Sequence, residues 1–177
     1  MFPERLSQSG DPLADVLRAA IGDRYAAEEL VRATQGDVWR LCRALVDEES
    51  AEDIAQEAFI RVLRSLRSFR GESSVRVWIL AIARRTAMDH LRRVHRQRAL
   101  ATLLRAQPRP DAAHLQSTAE PQALLALLPV PLRSAFVLTQ LLGLEYADAA
   151  AVMGCPVGTV KSRVSRARTI LAAAVTD

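Results

Sequence analysis

The amino-acid sequence predicts an all-α protein built from two small helical domains joined by a flexible linker. Apolar residues recur at helical spacing over most of the chain. Aromatic residues make up 5% of the sequence and glycine contributes seven residues, a composition that favours helix over strand. The 177 residues suit one ordinary domain or two small ones. A proline-containing segment separates the helical patterns into two groups, which indicates two domains.

The first predicted domain, residues 1–98, contains four helical patterns with short connections, as expected for a compact helical bundle. Proline is absent between Ala26 and Val94. Ser50 is expected to cap the third helix, with Asp53 three residues later completing an acidic capping arrangement. The four patterns cover, in order, about Leu13–Ala33, Val38–Val46, Ile54–Leu66 and about Val75–Arg98.

The predicted linker, residues 99–120, differs in composition from both domains. It is rich in alanine, glutamine and small polar residues, and Pro108 and Pro110 interrupt it. Such a composition is typical of a connecting segment rather than of a packed core. We expect one short helix within it, around Leu100–Arg105.

The second predicted domain, residues 121–177, contains a helix-turn-helix. A short helix over Tyr146–Met153 ends at Gly154, where glycine supplies a left-handed stop. Pro156 then opens a longer helix that runs to about residue 174, because proline is pre-organised for the first turn of a helix. This layout is that of a DNA-binding motif in which the second helix enters the major groove.

The longer helix of this motif divides into two faces. An apolar stripe is expected to pack inward: Val157, Val160, Val164, Ala167 and Leu171. The remaining side chains are small, hydroxylated or cationic: Gly158, Thr159, Lys161, Ser162, Ser165, Arg166 and Thr169. Such residues suit a major groove, because cationic side chains bond guanine edges and hydroxyls serve bases or phosphates. The alternative is an ordinary amphipathic helix with a solvated basic face.

Charge is distributed unevenly along the chain. Residues 47–57 contain six acidic residues and no base, whereas residues 61–98 contain eleven arginines against two acidic residues. Residues 161–168 add four cations and no acid. Two clustered basic runs in a chain of pI about 9.8 are typical of a nucleic-acid-binding protein, although one such run alone would simply solvate a helix surface.

Several classes of function find no support in the sequence. Cys42 and Cys155 are far apart without metal-type spacing, which favours buried thiols in a reducing cytosol. The histidines form no metal pattern, no nucleophile has a base partner, and no glycine-rich phosphate loop is present. We therefore expect no enzyme activity, no metal and no cofactor. No apolar run is long enough to span a bilayer, and the N-terminus lacks a secretory signal, so we expect a cytoplasmic protein without membrane insertion.

Several segments together resemble a known family over nearly the whole chain. In the second half the resemblance is to region 4 of the extracytoplasmic-function (ECF) sigma factors, and it is carried by Leu132–Leu138, Gly143–Ala150 and Gly154–Arg168. In the first half the resemblance is to region 2 of the same family, and it is carried by Asp53–Phe59, Phe69–Trp78 and Ile82–Arg85. The segment Leu138–Val164 is especially similar to the actinobacterial sigma factor C type. In many members of the family a glutamate stands at the position of Asp148.

The resemblance implies a transcription initiation factor that binds core RNA polymerase, through its beta and beta-prime subunits, and promoter DNA. Residues 1–98 would be region 2, which docks on polymerase and recognises and melts the minus-10 element. The docking residues implied are Asp53, Gln56, Glu57 and Phe59. Opposite charge would steer this encounter, although acids at the start of a helix also stabilise that helix.

The minus-10 element would be held by a loop and by the arginine-rich helix that follows it. Flipping a base costs a few kcal/mol, so a preformed pocket and phosphate contacts are needed to offset it. Trp78 has two readings, either a stacking aromatic or a core residue. The implied minus-10 residues are Arg70, Glu72, Ser73, Ser74, Arg76, Trp78, Arg84, Arg85, Arg92 and Arg93.

Residues 121–177 would be region 4, which reads the minus-35 element. The base-reading residues implied are Lys161, Ser162, Ser165 and Arg166. The residues implied to position the DNA backbone are Arg133, Thr159, Arg163 and Arg168. The rival hypothesis is a repressor or activator that uses the same helix-turn-helix without polymerase. For a sigma factor, we expect a monomer when free, controlled by a separate anti-sigma protein, by packing of its two domains on each other, or by proteolysis and expression level.

Overall fold

The computed structural model describes residues 11–104 and 121–176, which form two helical units. The described part contains no strand, which confirms the all-α prediction. The first unit consists of α1 (Pro12–Ala19), α2 (Arg24–Leu45), α3 (Glu48–Ser65) and α4 (Val75–Leu104), with a 3₁₀ turn at Leu66–Ser68. The second unit consists of α5 (Pro121–Ala126), α6 (Val130–Phe136), a π turn at Val137–Leu141, α7 (Tyr146–Met153) and α8 (Val157–Thr176).

Aspartates begin the first three helices of the first unit. The carboxylates of Asp11, Asp23 and Asp47 accept hydrogen bonds from backbone N–H groups in the first turns of α1, α2 and α3. Such side chains satisfy donors that have no partner within the helix. The prediction that Ser50 caps α3 is wrong, because α3 begins two residues earlier and the Ser50 N–H itself donates to Asp47.

The second helix is longer than the sequence pattern suggested. The sequence predicted two helices, over about Leu13–Ala33 and Val38–Val46. In the structure the first helix ends at Ala19, and a second helix runs without a break over Arg24–Leu45. Thr34 lies buried within α2, and its hydroxyl donates to the Leu30 carbonyl at 2.8 Å. A polar residue near the expected boundary is therefore satisfied inside the helix rather than ending it.

The fourth helix also exceeds its prediction. α4 contains 30 residues, a length of about 45 Å, and it continues six residues beyond the predicted end at Arg98. Of the short helix expected around Leu100–Arg105, residues 100–104 form the last part of α4 rather than a separate element. The predicted linker therefore begins inside a helix, and its residues 105–120 lie outside the described part of the chain.

The second unit packs its helix-turn-helix against α6. Val160, Val164 and Ala167 are at most 2% exposed and supply the inward stripe of α8, as predicted. Leu171 is half-buried, and the prediction for Val157 is wrong, because its side chain is 38% exposed. Val157 is the first residue of α8.

The two units pack directly on each other, α4 against α7 and α2 against α6. Among the described residues, hydrogen bonds cross the contact at three places, and in each a side chain donates to a backbone carbonyl. The Arg76 Nη2 atom bonds the Leu142 carbonyl at 2.7 Å, and the Arg133 Nη1 atom bonds the Ala44 carbonyl at 3.3 Å. The Gln122 amide bonds the Arg43 carbonyl. These bonds define one relative placement of the two units.

Candidate nucleic-acid and polymerase interface

The turn between α7 and α8 has the geometry that the sequence predicted. Gly154 adopts φ 63° and ψ 42°, the left-handed conformation that residues with a Cβ atom avoid. The Cys155 N–H donates to the Ala150 carbonyl at 3.2 Å, and the Thr159 N–H donates to the Pro156 carbonyl at 2.9 Å. These bonds end α7 and start α8 within three residues, and they fix the angle at which α8 leaves the domain.

The outer face of α8 is open to solvent. Its exposed residues from the predicted minus-35 set are Lys161, Ser162, Ser165, Arg166 and Arg168. The Ser162 hydroxyl donates back to the Thr159 carbonyl at 3.0 Å, which leaves its oxygen lone pairs free to accept. The Arg168 Nη2 atom bonds Gln140 Oε1 at 2.6 Å, so this guanidinium is anchored beside the π turn. The exposed face therefore combines hydroxyl groups with four cationic charges, counting the half-buried Arg163.

Two arginines, Arg84 of α4 and Arg163 of α8, lie close enough for their charges to interact. The Arg163 Nη1 atom lies 3.6 Å from Cys155 Sγ. Burial, and secondarily the positive charge of Arg163, lower the pKa of Arg84. The buried Nε atom of Arg84 has no hydrogen-bond partner among the described residues. The sequence placed Arg84 with the minus-10 residues and Arg163 with the minus-35 residues, and the fold brings the two together.

Arg133 occupies a different environment from the other predicted phosphate contacts. Its guanidinium donates to the carbonyls of Leu128 at 3.0 Å and of Ala44 at 3.3 Å, the latter in the first unit. Burial lowers the pKa of Arg133. In this arrangement the side chain is engaged in holding the start of α6 and the contact between the units.

The loop before α4 carries the predicted base-pocket residues. Gly71 turns the chain with φ 70°, and Glu72 and Ser74 are exposed while Ser73 is half-buried. The Ser74 hydroxyl accepts from the Val77 N–H at 3.2 Å and thereby caps the start of α4. The loop thus presents polar side chains to solvent at the beginning of the arginine-rich helix.

Trp78 packs against the core of the first unit. Its ring centroid lies 5.2 Å from that of Phe69, with the planes tilted by 59°. The side chain is half-buried, and Phe69 is 3% exposed. Of the two readings of Trp78, the core contact is the one present here, and such a tilted pair stabilises the loop that it closes.

The arginines of α4 divide by their partners. Arg76 is held by Asp37 at 2.7 Å as well as by the Leu142 carbonyl. Arg92 pairs with Asp89 on its own helix. The predicted minus-10 arginines with exposed side chains are Arg70, Arg85, Arg92 and Arg93.

The predicted polymerase-docking residues lie along α3. Asp53 and Gln56 are exposed, and the Gln56 amide donates to Glu52 at 3.5 Å. Glu57 is half-buried and pairs with Arg61 at 2.9 Å. Phe59 is partly buried and packs against the core, so its aromatic ring supports α3 from the inner side.

A charge network ties this acidic helix to α4. Arg61 bonds Glu57 on α3 and Asp89 on α4, each at 2.9 Å. The hydrogen bond from Arg61, followed by that from Arg92, lowers the pKa of Asp89. Glu57 and Asp89, which both accept hydrogen bonds from Arg61, raise the pKa of Arg61. The proposed docking helix and the proposed DNA-binding helix are therefore linked through one guanidinium.

In the described part of the chain, the two cysteines and the metal-ligating residue types form no metal site. Burial raises the pKa of the Cys42 thiol to about 12, which keeps it protonated and unreactive. Cys155 is half-buried at the helix-turn-helix. Over residues 11–104 and 121–176, no three His, Cys, Asp or Glu side chains gather as metal ligands would. Within the same ranges, no helix is both long and apolar enough to cross a bilayer.

Two aspartates that the sequence did not indicate as site residues hold parts of α4 in place. Asp11 bonds the first backbone N–H of α4, and Asp37 holds Arg76. Their partners lie 64 and 39 residues away, so no local spacing indicated them. The aspartate–proline pair at Asp11 is a helix-start signal for α1, but it does not indicate that Asp11 also bonds the start of α4.

Comparison with known proteins assigns the chain to a family. The Sigma-70 region 2 family matches residues 30–99, and the Sigma-70 region 4 family matches residues 122–171. The ECF RNA polymerase sigma factor SigC of Mycobacterium tuberculosis is 45% identical over 161 residues, which cover 89% of this chain and 87% of that protein. The chain belongs to the ECF sigma factors. This ECF sigma factor is also 37% identical over 171 residues to the sigma-E factor of Haemophilus influenzae, covering 88% and 90% of the two chains.

Solved structures agree with this assignment. The ECF sigma factor superimposes with a TM-score of 0.68 and 25% identity on the sigma factor RpoE of Bartonella quintana, solved with the anti-sigma factor NepR, covering 81% and 92% of the two chains. It shares the fold of CnrH, with a TM-score of 0.70, 24% identity and coverage of 95% and 98%. As an alternative sigma factor, the protein directs RNA polymerase to promoters, which excludes the regulator hypothesis.

Proposed function

We propose that this ECF sigma factor divides promoter recognition between its two units as follows. α3 docks on the beta-prime and beta subunits of core polymerase, the loop before α4 and α4 itself hold the minus-10 element, and α8 reads the minus-35 duplex. The protein performs no chemistry of its own and acts in the cytoplasm. The observation that carries this proposal is the exposed hydroxyl and cationic face of α8 directly after the left-handed Gly154.

The minus-35 assignment follows from the chemistry of α8. Lys161 and Arg166 can donate to guanine edges, and Ser162 and Ser165 can serve bases or phosphates. Arg168, anchored on Gln140, suits a phosphate contact because its position is already fixed. Thr159 and Arg163 flank the same face.

The docking assignment rests on the exposed acids of α3. We expect Asp53, Gln56 and Glu57 to face a basic surface of the polymerase clamp, where opposite charge raises the association rate and fixes the register. Asp53→Lys should weaken binding to core polymerase at least tenfold in a fluorescence-anisotropy titration. Glu29→Lys makes the same charge reversal on an exposed site of α2 and should bind within about twofold of wild type. Equal affinities of the two variants would contradict the docking assignment.

The contact between the units supports domain packing as a mode of control. Arg76 and Arg133, both proposed to contact DNA, donate instead to backbone carbonyls across this contact. The free protein is then a monomer in which the two units must separate before these side chains reach DNA. Purification of the chain alone, monomeric and unable to bind promoter DNA, would support this mode. Co-purification of a stoichiometric second protein whose removal restores binding would favour a separate anti-sigma factor.

A further inference from the structure

One carboxylate begins two helices of the first unit. The Asp11 Oδ1 atom accepts from the Leu13 N–H at 3.0 Å and caps α1. Its Oδ2 atom accepts from the Val75 N–H at 2.7 Å. Val75 is the first residue of α4, 64 residues further along the chain. Asp11 therefore bridges the start of α1 to the start of α4.

The second of these bonds satisfies a backbone donor at the start of α4, the Val75 N–H. Val75 is fully buried, and the N–H groups of a first helical turn have no partner within the helix. The Ser74 hydroxyl is occupied by the Val77 N–H at 3.2 Å. A buried donor without a partner is costly, and a negative charge at a helix N-terminus is favourable. The Asp11 carboxylate supplies both the acceptor and the charge.

Val75 connects this bridge to the loop that is proposed to recognise the promoter. Val75 directly follows Glu72, Ser73 and Ser74, which the proposed function assigns to the pocket for an extruded base. We propose that Asp11 is a positioning residue for this loop, which holds the end of the loop against α1 in the conformation that receives the base. The inference rests on the proposed function. Asp11 itself does not contact DNA, because both of its oxygens are used and its charge repels phosphate.

Asp23 offers a matched control on the same unit. Its carboxylate caps α2 by accepting from the Tyr25 N–H at 2.8 Å, the same local pattern as at Asp11. No hydrogen bond found among the described residues joins the Asp23 side chain to another helix. Serine at either position therefore alters the same kind of cap, and only the change at Asp11 also removes the bridge.

The test compares Asp11→Ser with Asp23→Ser in complex with core polymerase, on a promoter selected from a genomic pool by the wild-type protein. Serine still caps its own helix, but its single oxygen does not span the two donors that Asp11 bonds. We expect Asp11→Ser to reduce open complexes about tenfold, measured as permanganate reactivity of unpaired thymines. This corresponds to about 1.4 kcal/mol. Affinity for core polymerase and for minus-35 duplex should stay within about twofold, and Asp23→Ser should match wild type in all three assays.

Two outcomes of this comparison would overturn the inference. Equal open-complex yields from Asp11→Ser and Asp23→Ser would show that the bridge does not act on melting. A parallel fall of polymerase affinity, duplex binding and open complexes, together with a lower unfolding midpoint, would show a merely structural role. If the wild-type protein formed no open complexes, the proposed function would fail first, so the two failures are distinguishable.

A measurement on the wild-type protein covers the case in which Asp11→Ser does not fold. Amide hydrogen exchange at Val75 should be slow, because its N–H is buried and bonded to Asp11, whereas exchange at exposed Ser74 should be fast. Asp11→Asn, which keeps the side-chain volume but offers one oxygen acceptor, should accelerate exchange at Val75 and reduce open complexes. Fast exchange at Val75 in the wild-type protein would overturn the inference without any variant.

Discussion

The Arg76 Nη2 atom donates to the Leu142 carbonyl at 2.7 Å and joins the arginine-rich helix of region 2 to the end of the π turn in region 4. The same guanidinium bonds Asp37 through Nε at 2.7 Å. A left-handed glycine, Gly143 with φ 68°, follows Leu142 and turns the chain away from this contact. The side chain proposed to hold a promoter phosphate is thus engaged by the other unit in the free protein.

Arg76→Ala should loosen the contact between the two units. A hydrogen bond from a charged donor contributes about 1.5–3 kcal/mol, so we expect the population of separated units to rise at least tenfold. Amide hydrogen exchange of residues buried between α2 and α6 reports this directly. Arg40→Ala is the control, because Arg40 pairs with the same Asp37 carboxylate at 3.6 Å within α2. If both variants exchanged at the wild-type rate, the Arg76 bond would not hold the units together.

Two glycines of the helix-turn-helix should respond to alanine with opposite signs. Gly154 has φ 63°, and a Cβ atom there would meet nothing within 4 Å, so only the backbone conformation opposes substitution. Gly154→Ala should cost about 1–2 kcal/mol. Gly158, in the first turn of α8, also has open space, and Gly158→Ala should stabilise by about 0.5 kcal/mol because alanine favours helix. Urea unfolding measures both, and equal effects would contradict the assigned turn.

Two arginines on α8 should differ in the kind of DNA binding that they support. Arg166→Ala should cost about 1–3 kcal/mol and relax preference at one base pair of the minus-35 element, as expected for a base-edge contact. Arg168→Ala should weaken binding to all sequences alike. It should also reduce the slope of log affinity against log salt concentration by about 1, as expected for the loss of one phosphate contact. Binding titrations against a set of single-base variants at several salt concentrations separate the two. A uniform loss from Arg166→Ala would show that this residue contacts only the backbone.

The Asp89 network should make stability depend on pH in a defined direction. Because Arg61, and then Arg92, lower the pKa of Asp89 in the folded state, its ionised form stabilises the fold above the unfolded pKa of about 3.9. This contribution disappears as pH falls through the lower folded-state pKa. Asp89→Asn should therefore lower the urea midpoint of unfolding at pH 7. Between pH 5 and pH 2, the midpoint of this variant should decrease less than that of the wild-type protein.

Glu28→Gln provides the control for Asp89→Asn. Glu28 pairs with Arg24 at 2.9 Å on the surface of a single helix, with both side chains largely in solvent. Such a pair contributes little, so this variant should follow the wild-type pH profile within about 0.5 kcal/mol. An Asp89→Asn profile indistinguishable from that of Glu28→Gln would show that the network across α3 and α4 is not stabilising.

The local signals in the sequence predicted the elements that carry the proposed DNA contacts. Gly154 and Pro156 give the bounds of α7 and the start of α8 because their backbone preferences act within one turn. The prediction that Ser50 caps α3 is wrong because Asp47, three residues earlier, caps this helix by accepting from the Ser50 N–H. It also did not foresee that α4 would continue past Arg98, where alanine and leucine sustain the helix to Leu104.

The contacts between distant residues were beyond such reasoning. Arg133 matched the family pattern of a phosphate contact, yet its guanidinium bonds the Ala44 carbonyl 89 residues away. Asp11 carried only the signal of a helix start, yet it also begins α4. Pairings of this kind depend on how the finished helices pack, and a single sequence contains no periodicity that reports them.

The most direct test of the central claim is run-off transcription with core RNA polymerase on a genomic promoter pool, with and without this protein. The proposed function predicts new transcription starts preceded by shared minus-35 and minus-10 sequences, and their loss with Asp53→Lys but not with Glu29→Lys. Absence of new starts, combined with specific duplex binding by the protein alone, would contradict it.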